Sequence, residues 1–460
     1  MLQRTFGDRA FLRRIFAFAI PIVIQNGITT LVSLLDNIMV GQVGTLQMSG
    51  VSIANQIILI FNLCILGATA GAGIFSAQFY GSGNLDGVRH AFRYKLLICG
   101  VLVLGFIGLL LGAGEDLIGI YLQGEGSPED AASTLYYGYE YMLVMCWGFV
   151  PFALSNVYAS TMREGGKTVV PMVAGITAVL VNLCLNTVLI FGLLGAPALG
   201  AKGAAIATVI SRFVELGILA IWAHSHREQY PYIRGAYRSL HIPLSLCKKI
   251  TVKGMPLLLN EFLWATGTAA LAQSYSTCGL NVVPALNITE TVNNLISVAI
   301  IALGHTVGIL MGQMMGAGNS KEEILEENRK IRNLSLLLGV VFGLVLAAVS
   351  TVFPLLYQVE PAVAALSTKL ILVLALYKPL MAFIFVTYFT IRSGGKTWIT
   401  FFFDCGLMWL FTIPLSVVLT RFVGMQILPL YICCQSFDFV KCFIGHSLLK
   451  KGTWIQDLSK

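Results

Sequence analysis

The sequence predicts an all-α integral membrane protein of twelve transmembrane helices, arranged as two six-helix lobes related by a pseudo-two-fold axis along the membrane normal. Three observations predict it: too little charge for a water-facing surface, apolar runs of bilayer-spanning length, and a repeat that divides the chain in two. Of 460 residues, 57% are hydrophobic and 11% charged, with mean hydropathy +0.80; a soluble domain carries about 25% charged residues. A spanning helix needs roughly 20 apolar residues, and the runs 15–39, 96–111 and 334–356 are of this kind. They are continuous, without the alternation of a lipid-facing barrel. Spans are expected near 15–40, 50–79, 95–113, 134–161, 169–194, 200–224, 254–277, 285–314, 333–357, 362–391, 398–420 and 425–449.

The net charge of +8 is explained by placement. Of the 30 Lys and Arg, 24 fall in the termini or the even-numbered connections, while the odd ones hold only Lys202 and Arg421. The third connection is acidic, with Glu115, Asp116, Glu125, Glu129 and Asp130. This positive-inside bias predicts a multi-pass protein of the inner or plasma membrane with both termini cytoplasmic, and it removes the need for a nucleic-acid partner. Arg4, Arg9, Arg13 and Arg14 precede a first span too long for a signal h-region, so no cleavable signal peptide is expected. The ten Cys are scattered through apolar spans without C-x-x-C, which reads as packing rather than redox or metal chemistry.

Internal repetition sets the organisation. The segment Gly73-Ile-Phe-Ser-Ala-Gln-Phe-Tyr-Gly-Ser-Gly-Asn84 returns as Gly308-Ile-Leu-Met-Gly-Gln-Met-Met-Gly-Ala-Gly-Asn319, and Pro21 returns as Pro256, both 235 residues on. Arg163-Glu-Gly-Gly-Lys-Thr168 returns as Arg392-Ser-Gly-Gly-Lys-Thr397, now 229 residues on. Each copy holds six spans, and an even number gives both copies the same orientation. The expected division is an N-terminal lobe of residues 1–224, a basic cytoplasmic linker of residues 225–250 and a C-terminal lobe of residues 251–460. Gly-Gly-Lys-Thr resembles the end of a phosphate-binding loop. The Gly that such a loop needs five residues earlier is Thr161 or Thr390 here, so both copies read as tight turns.

Ionisable groups inside spans are costly and usually functional. Asp36 on span 1, Asn182 and Asn186 one turn apart on span 5, and Thr208 on span 6 fall at similar depth in the outer half of the first lobe. A carboxylate with neutral oxygen ligands at one depth suits Na⁺ binding or reversible protonation, so Na⁺ is a possible metal at Asp36. In the second lobe Glu261, Lys378 and Asp404 lie at comparable depths on spans 7, 10 and 11, a candidate cluster for substrate or a second ion. Arg212 with Glu215, and Asp438 with Lys441, are spaced as self-neutralising pairs. His305 reads as a lone polar group on span 8.

Several of these segments together resemble the multidrug and toxic compound extrusion (MATE) family, with its DinF-like branch nearer than its NorM-like one. They are Leu35-Asp-Asn-Ile-Met-Val-Gly41, Gly81-Ser-Gly-Asn84, Arg163-Glu-Gly-Gly-Lys167, Asn182-Leu-Cys-Leu-Asn-Thr-Val-Leu-Ile-Phe-Gly192, Gly316-Ala-Gly-Asn319 and Arg392-Ser-Gly-Gly-Lys396. The resemblance runs through nearly the whole chain. It implies a transporter that exports organic cations and drugs in exchange for H⁺ or Na⁺. The family's first-lobe cation site is matched by Asp36, Asn182 and Thr208, while Asn186 stands where an Asp is often found. The second acidic site that the resemblance implies for NorM-like members, on spans 7 and 10, is not simply carried over. Glu261 lies about a turn nearer the span's proline, and Lys378-Pro379 replaces an acidic motif.

A secondary antiporter coupled to H⁺ or Na⁺, with no cofactor and a small organic or cationic substrate, is the leading expectation. A monomer in contact with lipid is expected. A lipid-linked oligosaccharide flippase is the alternative, and it needs a strongly cationic cavity, whereas few basic residues (Arg212, Lys369, Lys378 and Lys441) lie in spans. An intramembrane enzyme needs a paired catalytic constellation, and no H-E-x-x-H or clustered His occurs.

Overall fold

The structure, a computed structural model, describes residues 6–122, 127–357 and 359–460, and the side chains of Leu34, Asn37 and Ile38 fall outside that description. Arg4 and Glu125 also lie outside the described residues. The chain forms α1 (Arg9–Gly41), α2 (Thr45–Gly81), α3 (Leu85–Gly119), α4 (Pro128–Glu164), α5 (Val169–Phe191) and α6 (Gly200–Ser225). Then follow α7 (Leu244–Ser276), α8 (Val282–Gly316), α9 (Lys321–Val349) and α10 (Pro361–Ser393), α11 (Thr397–Arg421) and α12 (Ile427–Lys451). No strand occurs among the described residues. Eleven of these helices are long and apolar enough to cross a membrane. The remaining one, α7, is as long at 33 residues but more polar, carrying Lys248, Lys249 and Lys253 near its start.

Helix ends follow local chemistry. Ser127 caps α4 by accepting from the Asp130 amide, with Pro128 in the first turn. Ser320 and Glu323 close a reciprocal capping box on α9, which satisfies two otherwise orphan amides. The repeat is reproduced bond for bond. Gly83 and Gly318 both take left-handed backbone, at φ 71° and 75°. Asn84 N donates to Phe79 O at 2.9 Å, and Asn319 N donates to Met314 O at 3.2 Å. The two Gly-Gly-Lys turns match as well: Gly166 N reaches Arg163 O, and Gly395 N reaches Arg392 O, each at 2.9 Å. These are glycine-capped helix ends, and no strand precedes them.

The chain divides into two compact units, but not at residue 224. Unit 1 gathers the residues up to Val23, Ala77–Asn84 and Val252–Lys460; unit 2 holds Ile24–Ser76 and Leu85–Thr251. Both the start of α1 and the end of α2 thus pack with the second copy. Ile15 belongs to one buried cluster with Leu303, Val307, Phe383 and Trp454. Residues 225–251 are not a free linker but part of unit 2. Arg93 fastens them, donating to Ala236 O at 2.8 Å, Gly235 O at 2.9 Å and His241 O at 3.1 Å.

Within unit 1 the two copies of the repeat meet reciprocally. A Cβ on Gly81 would lie 2.0 Å from Gln313 O, and one on Gly316 would lie 1.9 Å from Gln78 O. Since 81 pairs with 316 and 78 with 313 at the repeat offset, this is the contact that a two-fold relation between copies produces. Glycine is required here because any side chain would force the backbones apart. The buried Gln78 amide also donates to Ser393 O at 3.0 Å and Gln456 O at 3.1 Å. It seats the C-terminal segment, whose Trp454 is buried.

In unit 2 the fully buried Lys95 ammonium meets Glu164, with its shortest N–O distance 2.6 Å. It also donates to Ser160 and Thr161 hydroxyls. Elsewhere in unit 2, Phe61, Phe106 and Phe149 form an aromatic cluster, with centroids 4.6 to 5.3 Å apart.

Candidate cation site

Unit 2 brings together all four residues expected of its site. Asp36 sits on α1 near its second end, Asn182 and Asn186 on one face of α5, and Thr208 on α6. The i, i+4 spacing of the two asparagines stacks their amides on one side of the helix. Asn186 Nδ2 donates to Asp36 Oδ1 at 2.8 Å and to Asn182 Oδ1 at 3.2 Å. The Asn182 amide satisfies more partners when turned over. Its nitrogen then donates to Asp36 Oδ2 at 3.0 Å, in place of the bond it accepts from Asn186, and its oxygen accepts from Thr208 N at 3.2 Å. Thr208 Oγ1 itself donates to Ala204 O at 3.0 Å. Asn186 is 1% exposed, and its Oδ1 is a buried oxygen with no hydrogen-bond partner among the described residues.

That orphan oxygen bears on what the site can do. A buried acceptor left unpaired is costly, and here it stands beside a carboxylate. Protonation of Asp36 would let the Asn186 amide turn over and offer its Oδ1 to the new O–H donor. A monovalent cation would use the same oxygen as a ligand beside Asp36 and Thr208. Either event also removes the cost of a bare carboxylate within a membrane span. Tyr141 and Arg212 lie within electrostatic range of this region, and Arg212 is held by Glu215 at 3.2 Å, as its spacing predicts.

Unit 1 does not gather Glu261, Lys378 and Asp404 into one bonded cluster. Asp404 accepts from Asn260 Nδ2 at 3.0 Å, and the same nitrogen reaches Tyr388 Oη at 3.3 Å. Asp404 lies on a π-helical turn of α11, residues Phe402–Gly406, a distortion frequent at functional sites. Glu261, next along α7, has Arg392 and Asp404 as charged neighbours. The Arg392 guanidinium also lies 5.4 Å from the Phe389 ring centroid. Lys378 is fully buried elsewhere on α10, donating to Asn293 Oδ1 and Ser297 Oγ at 2.6 Å each.

Several residues escape sequence reasoning. Asn260 is 2% exposed with an orphan Oδ1, yet it reads as a neighbour of Glu261 and nothing more. Asp438 has Lys441 and Asp404 as charged neighbours, and the expected Asp438–Lys441 pair forms no salt bridge among the described residues, unlike Arg212 with Glu215. His305 is not the lone polar group of its span, because α8 also carries Asn287, Glu290, Asn293 and Asn294. Glu290, Asn287 and Asn294 are exposed at helical spacings of three and four, a polar stripe that was legible in the sequence.

A many-spanned helical protein with an internal repeat and a carboxylate–amide site inside each unit belongs to the class of membrane transporters built from duplicated halves. The comparisons narrow this. The sequence profile of the MatE family matches residues 21–188 and 256–418, once in each half. This chain belongs to that family. It is 26% identical over 427 residues to the probable multidrug resistance protein NorM of Thermotoga maritima, covering 91% of this chain and 88% of that one. It is also 25% identical to multidrug resistance protein MdtK of Pectobacterium atrosepticum, over 80% of this chain and 78% of that protein. In fold it resembles a variant of the Vibrio cholerae MATE transporter VcmN, with a TM-score of 0.85 at 18% identity over 97% and 98% of the two chains. A transporter of Pyrococcus furiosus, described as having a binding pocket of reverse polarity, matches with a TM-score of 0.84 at 17% identity, over 99% and 98%. The profile and the relatives do not separate a DinF-like from a NorM-like branch.

Proposed function

We propose that this protein is a secondary antiporter that exports small organic cations or drugs against an inward flow of H⁺ or Na⁺. The observation that carries the reading is the Asp36–Asn186 pair, a span carboxylate bonded at 2.8 Å beside a buried oxygen without a partner. The multidrug resistance names of its relatives support the substrate class. Loading of Asp36 from the outer side neutralises it and favours the rearrangement that releases substrate outward. Discharge of the ion to the cytoplasm resets the cycle. Both termini lie in the cytoplasm in this reading, and the work done is transport rather than bond chemistry.

The test is efflux of a fluorescent cationic dye from liposomes holding the purified protein, with H⁺ and Na⁺ gradients imposed separately. Efflux is expected to follow one of the two gradients and to be lost in Asp36→Asn. Dye movement indifferent to both gradients, or efflux by Asp36→Asn equal to wild type, overturns the assignment.

A further inference from the structure

The buried ammonium of Lys378 has no role in the scheme above. Three polar residues of α8 serve it from one helical face: Ser297, Asn293 one turn earlier, and Glu290 three residues before that. Lys378 Nζ donates to Asn293 Oδ1 and Ser297 Oγ at 2.6 Å each. Asn293 Nδ2 then donates to Glu290 Oε2 at 3.1 Å. Asn293 is thus clamped between an ammonium and a carboxylate, with its oxygen toward one and its nitrogen toward the other. Glu290 is the charged group that acts on Lys378 among the described residues.

The other packed faces contribute no charge. On the α9 side stand Gly343, where a Cβ would lie 3.6 Å from Lys378 Cβ, and Gly339, where a Cβ would lie 3.1 Å from Lys378 O. Toward α12 the adjacent residue, Tyr377, bonds the Ser436 hydroxyl at 2.7 Å.

We infer that Lys378 is a tethered counter-ion, occupying in unit 1 an oxygen-lined site that would otherwise take an exchangeable monovalent cation. The ammonium meets the oxygen ligands a hard cation uses, one amide and one hydroxyl, with the Glu290 carboxylate beyond Asn293. With Lys378 in place, the buried ammonium has the exposed Glu290 carboxylate as its balancing charge. Without it, the same oxygens stand beside an unbalanced carboxylate. The consequence deepens the antiport reading and rests on it in one respect: the exchangeable ion is confined to Asp36 because unit 1 carries its cation covalently.

The experiment reads binding rather than transport. The full chain in lipid nanodiscs is melted in NaCl and in choline chloride at equal ionic strength, throughout in an Asp36→Asn background. That background alone is expected to show no Na⁺ response, and Lys378→Arg within it should stay silent. Lys378→Met or Lys378→Gln should gain a Na⁺-dependent rise in melting temperature of roughly 1–3 °C. Adding Glu290→Gln should abolish the gain. Well-folded neutral variants that ignore Na⁺, or an Asp36→Asn protein that already responds with Lys378 intact, overturn the proposal.

A second measurement does not depend on recovering the neutral variants. In ¹⁵N-lysine spectra of the Asp36→Asn protein, a slowly exchanging ammonium resonance, identified by its loss in Lys378→Arg, should be unchanged by 150 mM Na⁺. Its absence, or its displacement by Na⁺, overturns the proposal. Should Asp36→Asn retain full dye efflux while the Na⁺ gain appears in Lys378→Met, the antiport assignment fails and the tethered cation stands.

Discussion

Asp36 in unit 2 and Asp404 in unit 1 are solved by the same device and surrounded by opposite chemistry. Each carboxylate accepts from a buried asparagine amide, Asp36 from Asn186 at 2.8 Å and Asp404 from Asn260 at 3.0 Å. Each of those asparagines keeps a buried oxygen without a partner among the described residues. Around Asp36 the bonded groups are amides and a hydroxyl, and no cationic side chain is bonded to its carboxylate among the described residues. Around Asp404 stand Glu261, Asp438, Arg392 and Lys441, so fixed cations already balance much of the acid. The two sites are not repeat copies. Asp36 corresponds to Leu271, while Asn260 and Asp404 correspond to Gln25 and Gly175. That last contact is nonetheless kept: a Cβ on Gly175 would lie 2.5 Å from Gln25 Nε2. Duplication preserved the packing of an amide against the facing helix and left the charges free to differ. The coupling role proposed for Asp36 rests on this difference in fixed counter-charge.

The largest expected effect tests this contrast directly. Asp36→Asn keeps the shape of the side chain but removes the charge that an ion would neutralise. Gradient-driven dye efflux should fall by tenfold or more, the loss expected when a group that must bind in every cycle is removed. Asp404→Asn should cost only a few-fold, because Arg392 and Lys441 remain. Equal losses in initial efflux rate for the two variants would dissolve the distinction between the units.

A second pair sharpens the role of the orphan oxygen. Asn186→Leu removes both the donor to Asp36 and the waiting acceptor, and should weaken the apparent affinity for the coupling ion by about tenfold, in keeping with losses at supporting residues of ion sites. Asn186→Asp restores an acceptor and adds a charge, and should increase Na⁺-dependent thermal stabilisation. If neither substitution shifts the ion concentration for half-maximal efflux, the pair is structural.

In unit 1 the expectation is stability rather than coupling. Asn260→Ala strips Asp404 and Tyr388 of a buried donor, at about 1–3 kcal/mol for the polar groups left unsatisfied. The melting temperature should fall while the ion dependence of efflux stays where it was. A shifted ion dependence with unchanged melting temperature would make unit 1 a second coupling site.

How much of this was legible beforehand follows from what each feature depends on. Span count, orientation of the copies and the turn at Gly-Gly-Lys are local or compositional, and the chain announces them. The convergence of Asp36, Asn182, Asn186 and Thr208 was legible because the four share a depth, and membrane depth is a coordinate that sequence position carries. Rotation about the helix axis is not such a coordinate. Lys378, Glu261 and Asp404 share a depth too, yet Lys378 faces α8 while Asp404 faces Asn260. The domain boundary failed for a related reason. Helices of some 35 residues, such as α1 and α2, are longer than one packing neighbourhood, so their ends join the other copy's core. No compositional break marks where that happens.

The smallest effect is expected at Thr208, and it is the most discriminating about the ion. Its hydroxyl donates to Ala204 O at 3.0 Å and stands 3.2 Å from the Asn182 amide, so it braces Asn182 rather than Asp36. Thr208→Val preserves the volume and deletes the hydroxyl, costing about 0.5–1.5 kcal/mol for one hydrogen bond. For a site that works by protonating Asp36, a brace matters little, and half-maximal efflux should move by no more than two- or three-fold in proton concentration. For a site that holds Na⁺, the hydroxyl oxygen becomes a ligand. The shift in half-maximal Na⁺ should then be larger, with Thr208→Ser restoring wild-type behaviour. Titrating efflux in both ions across wild type, Thr208→Val and Thr208→Ser therefore separates the two chemistries. Abolition of efflux by Thr208→Val under both gradients would put the hydroxyl on a par with Asp36, and the contrast between the units would no longer rest on the carboxylate alone.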